Sequence, residues 1–323
     1  MLLEITHDTH YSYDPSVEIA QHFAHLKPAT LGSQQVLKTE IQVDPQPAWR
    51  EENTDHYGNI CTFFSLQNRH SELTITAKSL IQTSGNVGLS PKPEDTPPWE
   101  AVREYFRYHS KTKWDAASEF LFTSPFIALQ PEFAEFARAN FTTGRPILEA
   151  AIDLTQRIYG EFHYVSKSTD IGTPALEALN KREGVCQDFA HVLLQLLRTA
   201  GIPSRYVSGY ICPNESGLRG EGATHAWVEI YSPKQGWLGL DPTNNIWTME
   251  NHVKLSVGRN FTDCTPVKGT FKGLAKQTLS VSVSIGYEDG RQFEEINNVL
   301  LEVVSTQLQE QLDYIENMQQ QQQ

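Results

Sequence analysis

Residues 1–85 have the short runs of apolar and β-branched residues that are typical of strands. The clearest runs are Val36–Val43, Cys61–Leu66 and Leu73–Ile81, which are separated by turn residues. Between the first two, Asp55–Asn59 (DHYGN) predicts a turn, because Gly and Asn tolerate the left-handed backbone conformation. We therefore predict a β-rich N-terminal domain over residues 1–85.

The apolar pattern then changes to the spacing of helices. A Pro- and Gly-rich stretch, Ser84–Pro98, is the predicted linker. Apolar residues three and four positions apart follow at Trp99–Tyr108, Pro131–Phe141 and Ile147–Phe162. Residues 86–160 are therefore predicted to be a linker and a helical connector.

Residues 161–288 combine one long helix with strands. The helix is predicted to begin near Gly184–Cys186 and to end at Ala200, because Gly201 suits a C-cap and Pro203 prevents continuation. Strand-like runs follow at Ser204–Ile211, His225–Tyr231 and Gly236–Leu240. One helix followed by an antiparallel meander predicts an α+β fold.

The tail, residues 289–323, has apolar residues in a 3-4-4-4 spacing from Phe293 to Leu308. This spacing predicts an amphipathic helix over Arg291–Met318 that packs on its own chain. A coiled coil that forms a homo-oligomer is the alternative, and the polar Gln307 on its seam argues against it. The last five residues, Gln319–Gln323, form a low-complexity run that we predict to be disordered.

Composition and charge narrow the choice of partners. The chain is 39% hydrophobic and 20% charged, which is ordinary for a soluble enzyme, and its net charge is −13. That charge repels nucleic acids and anionic membranes, so neither is a predicted partner. The N-terminus lacks the pattern of a signal peptide, and the apolar runs are too short for a membrane span. We therefore predict a cytoplasmic location.

Cys186 is predicted to lie at the N-terminus of the long helix, just after Gly184. The unpaired amides and the dipole at that end favour the thiolate. The same amides can hold an oxyanion, so the Cys186 N–H is a natural half of an oxyanion hole. Cys186 is thus the candidate nucleophile among the four cysteines of the chain.

His225 lies in the strand-like run THAWVEIY (224–231). Alternation places His225, Trp227 and Glu229 on one face, and the apolar residues between them on the face that packs on the core. His225 therefore points away from that core, where it can meet a thiol. It is the candidate base.

Asp241 ends the run GWLGLD, and Pro242 helps to end the strand there. If this run forms a hairpin with the His225 strand, a register in which the paired residue numbers have an even sum, such as 225 opposite 241, puts both side chains on one face. A register with an odd sum would need a bulge to do so. A carboxylate on one imidazole nitrogen fixes the tautomer and leaves the other nitrogen for sulfur. Cys186, His225 and Asp241 are therefore the predicted catalytic residues.

Three ordered segments carry a family resemblance: GVCQDFAHVLLQLLRTAGIPSRYVSGY (184–210), THAWVEIY (224–231) and GWLGLDPTNN (236–245). Together they resemble the core of the transglutaminase-like superfamily. The DHYGN turn with the following FFSL run, and VGRNFTDCTPVKGTF (257–271), resemble flanking regions of bacterial members. The resemblance covers roughly residues 1–288. It implies an α+β, papain-like core after a β-rich N-terminal domain, with a triad at Cys186, His225 and Asp241.

Two further residues are predicted to border this site. Trp227 is expected to form a wall beside His225, with a packing role as the alternative. Tyr164 is a candidate second oxyanion donor, because papain-like sites have a donor upstream of the nucleophile. The remaining cysteines, Cys61, Cys212 and Cys264, are expected to be inert packing residues.

Metal and nucleotide chemistry have little support in the sequence. His7/His10 and His22/His25 are HxxH pairs, but no Glu, Cys or third His accompanies them at ligand spacing. The sequence has no CxxC pair and no Walker, GxGxxG or GxSxG motif. We therefore expect neither a metal nor a cofactor.

The predicted reaction is acyl transfer through a thioester, with a peptide or amide as substrate. We expect water to resolve the acyl-enzyme, which makes the protein a cysteine peptidase or amidase. The resemblance leaves two alternatives, since the superfamily includes cross-linkers and inactive relatives. One is a protein-glutamine transglutaminase that uses an amine acceptor. The other is a non-catalytic binding module on the same fold.

Overall fold

The computed structural model describes residues 1–84, 91–110, 114–165, 172–212, 218–220 and 224–299. Its N-terminal region is built from strands, as the sequence pattern predicts. The turn at Asp55–Asn59 also forms, with Gly58 in the left-handed region at φ +86°. The strands are β1 (Leu2–Val17), β2 (Ile19–Lys27), β3 (Gln34–Asp44), β4 (Trp49–Thr54), β5 (Ile60–Leu66) and β6 (His70–Thr83).

The described part of the connector forms three α-helices, each of which ends before the predicted residue, the third by one residue only. They are α1 (Trp99–Tyr105), α2 (Pro131–Ala137) and α3 (Ile147–Glu161). Prolines mark all three starts, since their fixed φ suits the first turn of a helix. None of the helices in the described part of the chain has the length and apolar character that a membrane span requires.

The core places one long helix against an antiparallel sheet, which confirms the α+β prediction. The sheet order is β12-β11-β10-β9-β13, and α5 packs on β9 and β10. The apolar positions of β10, Ala226, Val228 and Ile230, share one buried cluster with the apolar face of α5. The elements are β7 (His163–Tyr164), α4 (Ala175–Lys181), β8 (Glu183–Gly184), α5 (Cys186–Thr199), β9 (Ser204–Ile211), β10 (Thr224–Ser232), β11 (Gly236–Asp241), β12 (Ile246–Trp247), β13 (His252–Gly258) and α6 (Phe261–Cys264).

Three strands after the core return to the N-terminal region: β14 (Val267–Lys272), β15 (Lys276–Tyr287) and β16 (Gln292–Val299). One sheet has the order β16-β15-β1-β6-β3 and the other the order β14-β2-β5-β4. The range 161–288 that the sequence assigned to the core thus includes two strands that complete the N-terminal sheets. Local patterns identify a strand but not its partner, so this pairing was not visible in the sequence.

The prediction of a helix from Arg291 is wrong over Gln292–Val299, which form β16. β16 pairs with β15 in antiparallel register, for example Phe293 opposite Ile285. The open edge of β15 offers backbone hydrogen bonds to Gln292–Val299, and such pairing overrides a modest helical spacing. The rest of the predicted helix and the Gln-rich tail lie outside the described residues.

The N-terminal region and the core share buried contacts. Leu3 belongs to the same apolar cluster as Tyr210 and Val253 of the core sheet. The side chain of Asn59, in the turn before β5, makes two hydrogen bonds of 2.8 Å to the backbone N–H and C=O of Val257 in β13. The core sheet therefore packs against α5 and also makes contacts with the N-terminal region.

Candidate active site

His225 and Asp241 lie on adjacent strands and meet at one end of the β10–β11 hairpin. The register sets Val228 opposite Leu240, which is the parity that puts residues 225 and 241 on one face of the hairpin. The pairing is shifted by two residues, however, and puts Asp241 across from Trp227 instead of His225. Diagonal neighbours on one face remain within reach of each other. His225 Nε2 lies 2.9 Å from Asp241 Oδ2.

The His225–Asp241 pair is fully buried, and each side chain changes the pKa of the other. Burial alone would lower the pKa of His225, but attraction and hydrogen bonding to Asp241 outweigh burial and raise it. Burial would raise the pKa of Asp241, and the two histidines beside it hold that pKa well below its usual range instead. The pair therefore favours a protonated imidazole beside an ionised carboxylate.

The carboxylate of Asp241 is fixed by the residues that follow it. Its Oδ1 accepts hydrogen bonds from the backbone N–H groups of Thr243 at 2.9 Å and Asn244 at 3.3 Å. Its Oδ2 accepts a 2.8 Å bond from Asn244 Nδ2 and lies 3.4 Å from His252 Nε2. An Asp that bonds the backbone two residues on is the usual geometry of an Asx turn. This turn holds the carboxylate still while it orients His225.

Cys186 is the first residue of α5, as predicted, and it is half-buried. The start of the helix is set by Asp188, whose Oδ2 accepts a 2.9 Å bond from the N–H of Val185. Gly184 has a φ of +158°, and a Cβ there would lie 2.7 Å from Asp188 Oδ2. Glycine at 184 thus allows the chain to enter the helix with Cys186 at its first position.

Cys186 and Asp241 interact with opposite sides of the His225 ring. The Nε2 atom is bonded to Asp241, whereas Nδ1 is buried and has no hydrogen-bond partner among the described residues. Interaction with the Cys186 thiol contributes to the raised pKa of His225, and because Nε2 is bonded to Asp241 we infer that this interaction is made at Nδ1. The structure therefore brings the three predicted catalytic residues together, in the order in which a thiol, an imidazole and a carboxylate cooperate.

Tyr164 lies beside the start of α5. Strands β7 and β8 pair in parallel, with Tyr164 opposite Gly184. The Tyr164 hydroxyl lies 3.2 Å, and His225 Nδ1 3.5 Å, from the point where a Cβ of Gly220 would be. The hydroxyl thus flanks the nitrogen of His225 that faces Cys186, a position that suits the predicted role as an oxyanion donor.

Trp227 supports the His225 ring from within the sheet. It is fully buried, its ring stacks on His225 with centroids 6.2 Å apart, and the ring of His252 lies edge-on to it with centroids 5.2 Å apart. The predicted wall is therefore a buried support beneath the imidazole, and not a surface open to solvent.

Sequence reasoning missed two residues at this site, His252 and Asn244. His252 begins β13, beyond the recognised motifs, and no spacing rule links it to Asp241. The contact of Asn244 with Asp241 could have been predicted, because the run DPTNN has the composition of an Asx turn. Burial lowers the pKa of His252. A neutral His252 donates one hydrogen bond to Asp241 without adding a second positive charge.

Three atoms at this site could in principle hold a metal ion. Single ligand atoms of His225, Asp241 and His252 lie within 4.8 Å of one another. The distances of 2.9 and 3.4 Å to Asp241 Oδ2 are those of hydrogen bonds, and a metal there would occupy the Nε2 atom that orients His225. We therefore interpret the three side chains as a hydrogen-bond network.

Comparison with known families gives two matches along the chain. The profile of the transglutaminase-like superfamily matches residues 135–242, which contain Cys186, His225 and Asp241. The profile of the bacterial transglutaminase-like N-terminal region matches residues 3–82. The two profiles occur in the order that the sequence segments indicate.

Individual relatives extend the comparison to nearly the whole chain. An uncharacterized protein of Mycobacterium tuberculosis is 34% identical over 87% of this chain and 91% of its own length. A protein-glutamine gamma-glutamyltransferase of Pseudomonas aeruginosa is 38% identical, but only over 29% of this chain and 15% of its own length. The crystal structure of a candidate cysteine protease from Cytophaga hutchinsonii aligns over 94% of this chain and 92% of its own, with a TM-score of 0.66 at 20% identity. That similarity supports the fold.

Proposed function

The chain belongs to the transglutaminase-like superfamily, and we propose that it is a cysteine-dependent acyl-transfer enzyme that hydrolyses a peptide or amide bond through a thioester. One observation carries the proposal. His225 is held by Asp241 at 2.9 Å through Nε2 and faces the half-buried thiol of Cys186 through Nδ1. A thiol, a fixed imidazole and a buried carboxylate are the parts that nucleophilic catalysis by cysteine requires.

In the first half-reaction the Cys186 sulfur attacks the carbonyl carbon of the amide. His225 Nδ1 already holds the thiol proton in the resting pair, so the sulfur attacks as a thiolate, and the C–S bond forms as the carbonyl becomes an oxyanion. The tetrahedral intermediate then breaks its C–N bond, and His225 returns the proton to the leaving amine. Asp241 stays ionised throughout and stabilises the imidazolium. The raised pKa of His225 favours this proton-holding role.

The developing oxyanion needs donors, and two candidates lie near the sulfur. The backbone N–H of Cys186 is at the N-terminus of α5, where amides lack helical partners. The hydroxyl of Tyr164 flanks the same space. We propose these two groups as the oxyanion hole.

In the second half-reaction water attacks the thioester, His225 takes a proton from it, and the thiol of Cys186 is released. An amine can replace water only if a pocket positions the amine and excludes water. Cys186 is half-buried, so solvent has access to the acyl-enzyme. This exposure favours hydrolysis.

Transglutamination is the second candidate function. It is favoured by the local similarity to the glutamyltransferase of Pseudomonas aeruginosa, which covers a limited part of both chains. The chemistry up to the thioester is the same, and only the second nucleophile differs. A non-catalytic module is the third candidate; it has no need for a half-exposed thiol that faces a held imidazole.

Product analysis by mass spectrometry tests the proposal. The full chain is incubated with a panel of peptide amides in ¹⁸O-labelled water, with and without a millimolar lysine analogue. We expect a carboxylate product that carries one ¹⁸O atom, with the amine adduct as a minor product. Mostly amine adduct would establish the transglutaminase alternative and leave the triad unaffected. The absence of turnover and of any acyl-enzyme on Cys186 would favour the non-catalytic module.

A further inference from the structure

A second Cys–His–Asp group lies in the N-terminal region, away from the residues of the active site. It consists of His25 on β2, Asp55 in the turn after β4, and Cys61 on β5. One ligand atom of each residue lies within 4.8 Å of the others. The register of β2 against β5 shifts between Ala24 and Lys27, and such a bulge re-aims the side chain of His25.

His25 presents a free lone pair to this group. Its Nδ1 lies 3.0 Å from the carbonyl oxygen of Thr265. A carbonyl can only accept, so Nδ1 carries the proton and Nε2 is an acceptor. The side chain is 2% exposed, and within the described ranges its Nε2 has no hydrogen-bond partner.

Asp55 brings a second acceptor to the same point. Its Oδ1 accepts 2.8 Å bonds from the N–H groups of Tyr57 and Asn59, and its Oδ2 accepts a 2.8 Å bond from Asn59 Nδ2. Asp55 Oδ2 lies 3.7 Å from His25 Nε2. A lone pair and a carboxylate oxygen that face each other repel unless a donor or a cation lies between them.

The sulfur of Cys61 determines which class of metal ion suits this group of ligands. Its thiol is buried, and burial together with the nearby Asp55 raises its pKa to about 11. A thiol that coordinates a metal ion loses its proton, and sulfur with imidazole and carboxylate ligands suits Zn²⁺ and similar ions. Mg²⁺ and Ca²⁺ prefer all-oxygen sites and do not fit.

We propose that His25 Nε2, Asp55 Oδ2 and Cys61 Sγ bind one divalent transition metal ion of the Zn²⁺ type, with water as the fourth ligand. On binding, the thiol of Cys61 releases its proton to solvent. The neighbours of the ligands match those of metal sites, because the other nitrogen of His25 donates to a backbone carbonyl and the carboxylate of Asp55 is held by backbone N–H groups.

The metal would join parts of the chain that are far apart in sequence. His25 is held by Thr265, just before β14, and Asp55 and Cys61 lie on both sides of the turn that carries Asn59. Asn59 is bonded to Val257 of the core sheet. A metal here would therefore fix the contact between the N-terminal region and the core.

A buried water molecule that donates to both His25 and Asp55 is the competing explanation. Water satisfies two acceptors without Cys61, whereas a thiophilic metal ion uses the sulfur. The thiol therefore discriminates between the two.

The test uses the tag-free full chain carrying Cys186→Ala, so that the catalytic thiol cannot bind metal. Metal content is measured by mass spectrometry after equilibration with Zn²⁺, and Co²⁺ is then substituted for optical spectra. We expect one ion per chain and a sulfur-to-cobalt charge-transfer band. Adding His25→Gln or Cys61→Ser should weaken binding at least about 100-fold, whereas adding Cys212→Ala should leave it unchanged.

Two results would overturn the metal site. One is a Cys186→Ala chain that binds no Zn²⁺ and whose melting temperature is the same in Zn²⁺ and in EDTA, which would favour water. The other is a cobalt band that survives Cys61→Ser. Circular dichroism shows whether the ligand variants fold. If they do not, the metal content and the melting temperature of the Cys186→Ala chain test the metal site without them.

Discussion

Among the described residues, cysteine, histidine and aspartate side chains come together at two places, and the hydrogen bond that the imidazole makes differs between them. At the active site the imidazole of His225 is bonded to a carboxylate. In the N-terminal region the imidazole of His25 donates to a backbone carbonyl and turns its lone pair toward a carboxylate. The cysteines differ too, since Cys186 is half-buried at a helix N-terminus and Cys61 is buried on a strand.

This difference teaches that residue types alone do not specify chemistry. A carboxylate bonded to the ring makes the imidazole a proton carrier, and a half-exposed thiol can then reach a substrate. A carbonyl bonded to the ring leaves a lone pair for a cation, and a buried thiol can then serve as a ligand. The following changes test that distinction, in order of expected effect.

Cys186→Ala should have the largest effect. Loss of the nucleophile removes the covalent route, and we expect amide hydrolysis to fall by at least about 10⁴-fold. The measurement is the rate of hydrolysis of any amide that the native chain turns over. Cys212→Ala, a buried cysteine outside both groups, is the matched control and should keep native turnover. Residual turnover above a few per cent in Cys186→Ala would assign the nucleophile to another residue.

Asp241→Asn should have a smaller effect on the rate. The amide cannot stabilise the imidazolium and favours the wrong tautomer, which costs about 10⁴-fold in one well-studied serine protease. We expect a loss of about 10²- to 10⁴-fold in kcat, less than that of Cys186→Ala. Asp153→Asn, on α3, is the control carboxylate, and circular dichroism checks the fold of both variants. Equal rates for Asp241→Asn and the native enzyme would remove Asp241 from the triad.

Iodoacetamide should separate the two cysteines by reactivity. Burial raises the pKa of Cys61 to about 11 and that of Cys212 to about 12, and it raises the pKa of Cys264 further. Cys186 is half-buried and faces a protonated imidazole, so we expect its labelling near pH 7 to be at least about tenfold faster. Mass-mapped peptides give the rates. Faster labelling of Cys61 than of Cys186 in the folded chain would contradict the assignment of Cys186 as the reactive thiol.

The pH dependence of stability should report the charges of the His225–Asp241 pair through a modest shift in melting temperature. The folded pKa of His225 is raised, so its stabilising contribution is complete below the unfolded value of about 6.5 and is lost as the pH rises through the folded value. The pKa of Asp241 is lowered, so its contribution is present above about 3.8 and is lost as the pH falls.

Melting temperatures of the native chain and Asp241→Asn across pH 4–10 would measure this effect. We expect the difference between the two to be largest near pH 5–6, which lies above the ordinary pKa of Asp and below that of His, and to narrow at higher pH. A constant difference across the range would show that the pair does not carry the charges we assign to it.

The sequence predicted Cys186, His225 and Asp241 as one site because three short motifs combine a helix N-terminus, a strand and a turn, which are local features. The register of the β10–β11 hairpin and the role of His252 depend on how the strands are staggered in the sheet, and the sequence left both open. His25 was set aside as a ligand because Cys61 and Asp55 are far from it along the chain. Only the pairing of β2 with β5 brings them together.

The strands that follow the core have a consequence for how the chain folds. β15 pairs with one side of β1, and β14 pairs with one side of β2, so those sides of β1 and β2 stay unpaired until residues 267–287 have been synthesised. Pairing between the two ends of a chain closes long loops and slows folding. During synthesis β1 and β2 therefore remain partly unpaired until β14 and β15 have been made, and the residues of the core lie between them in the chain. A truncation after the core would leave the same two edges open to association with other chains.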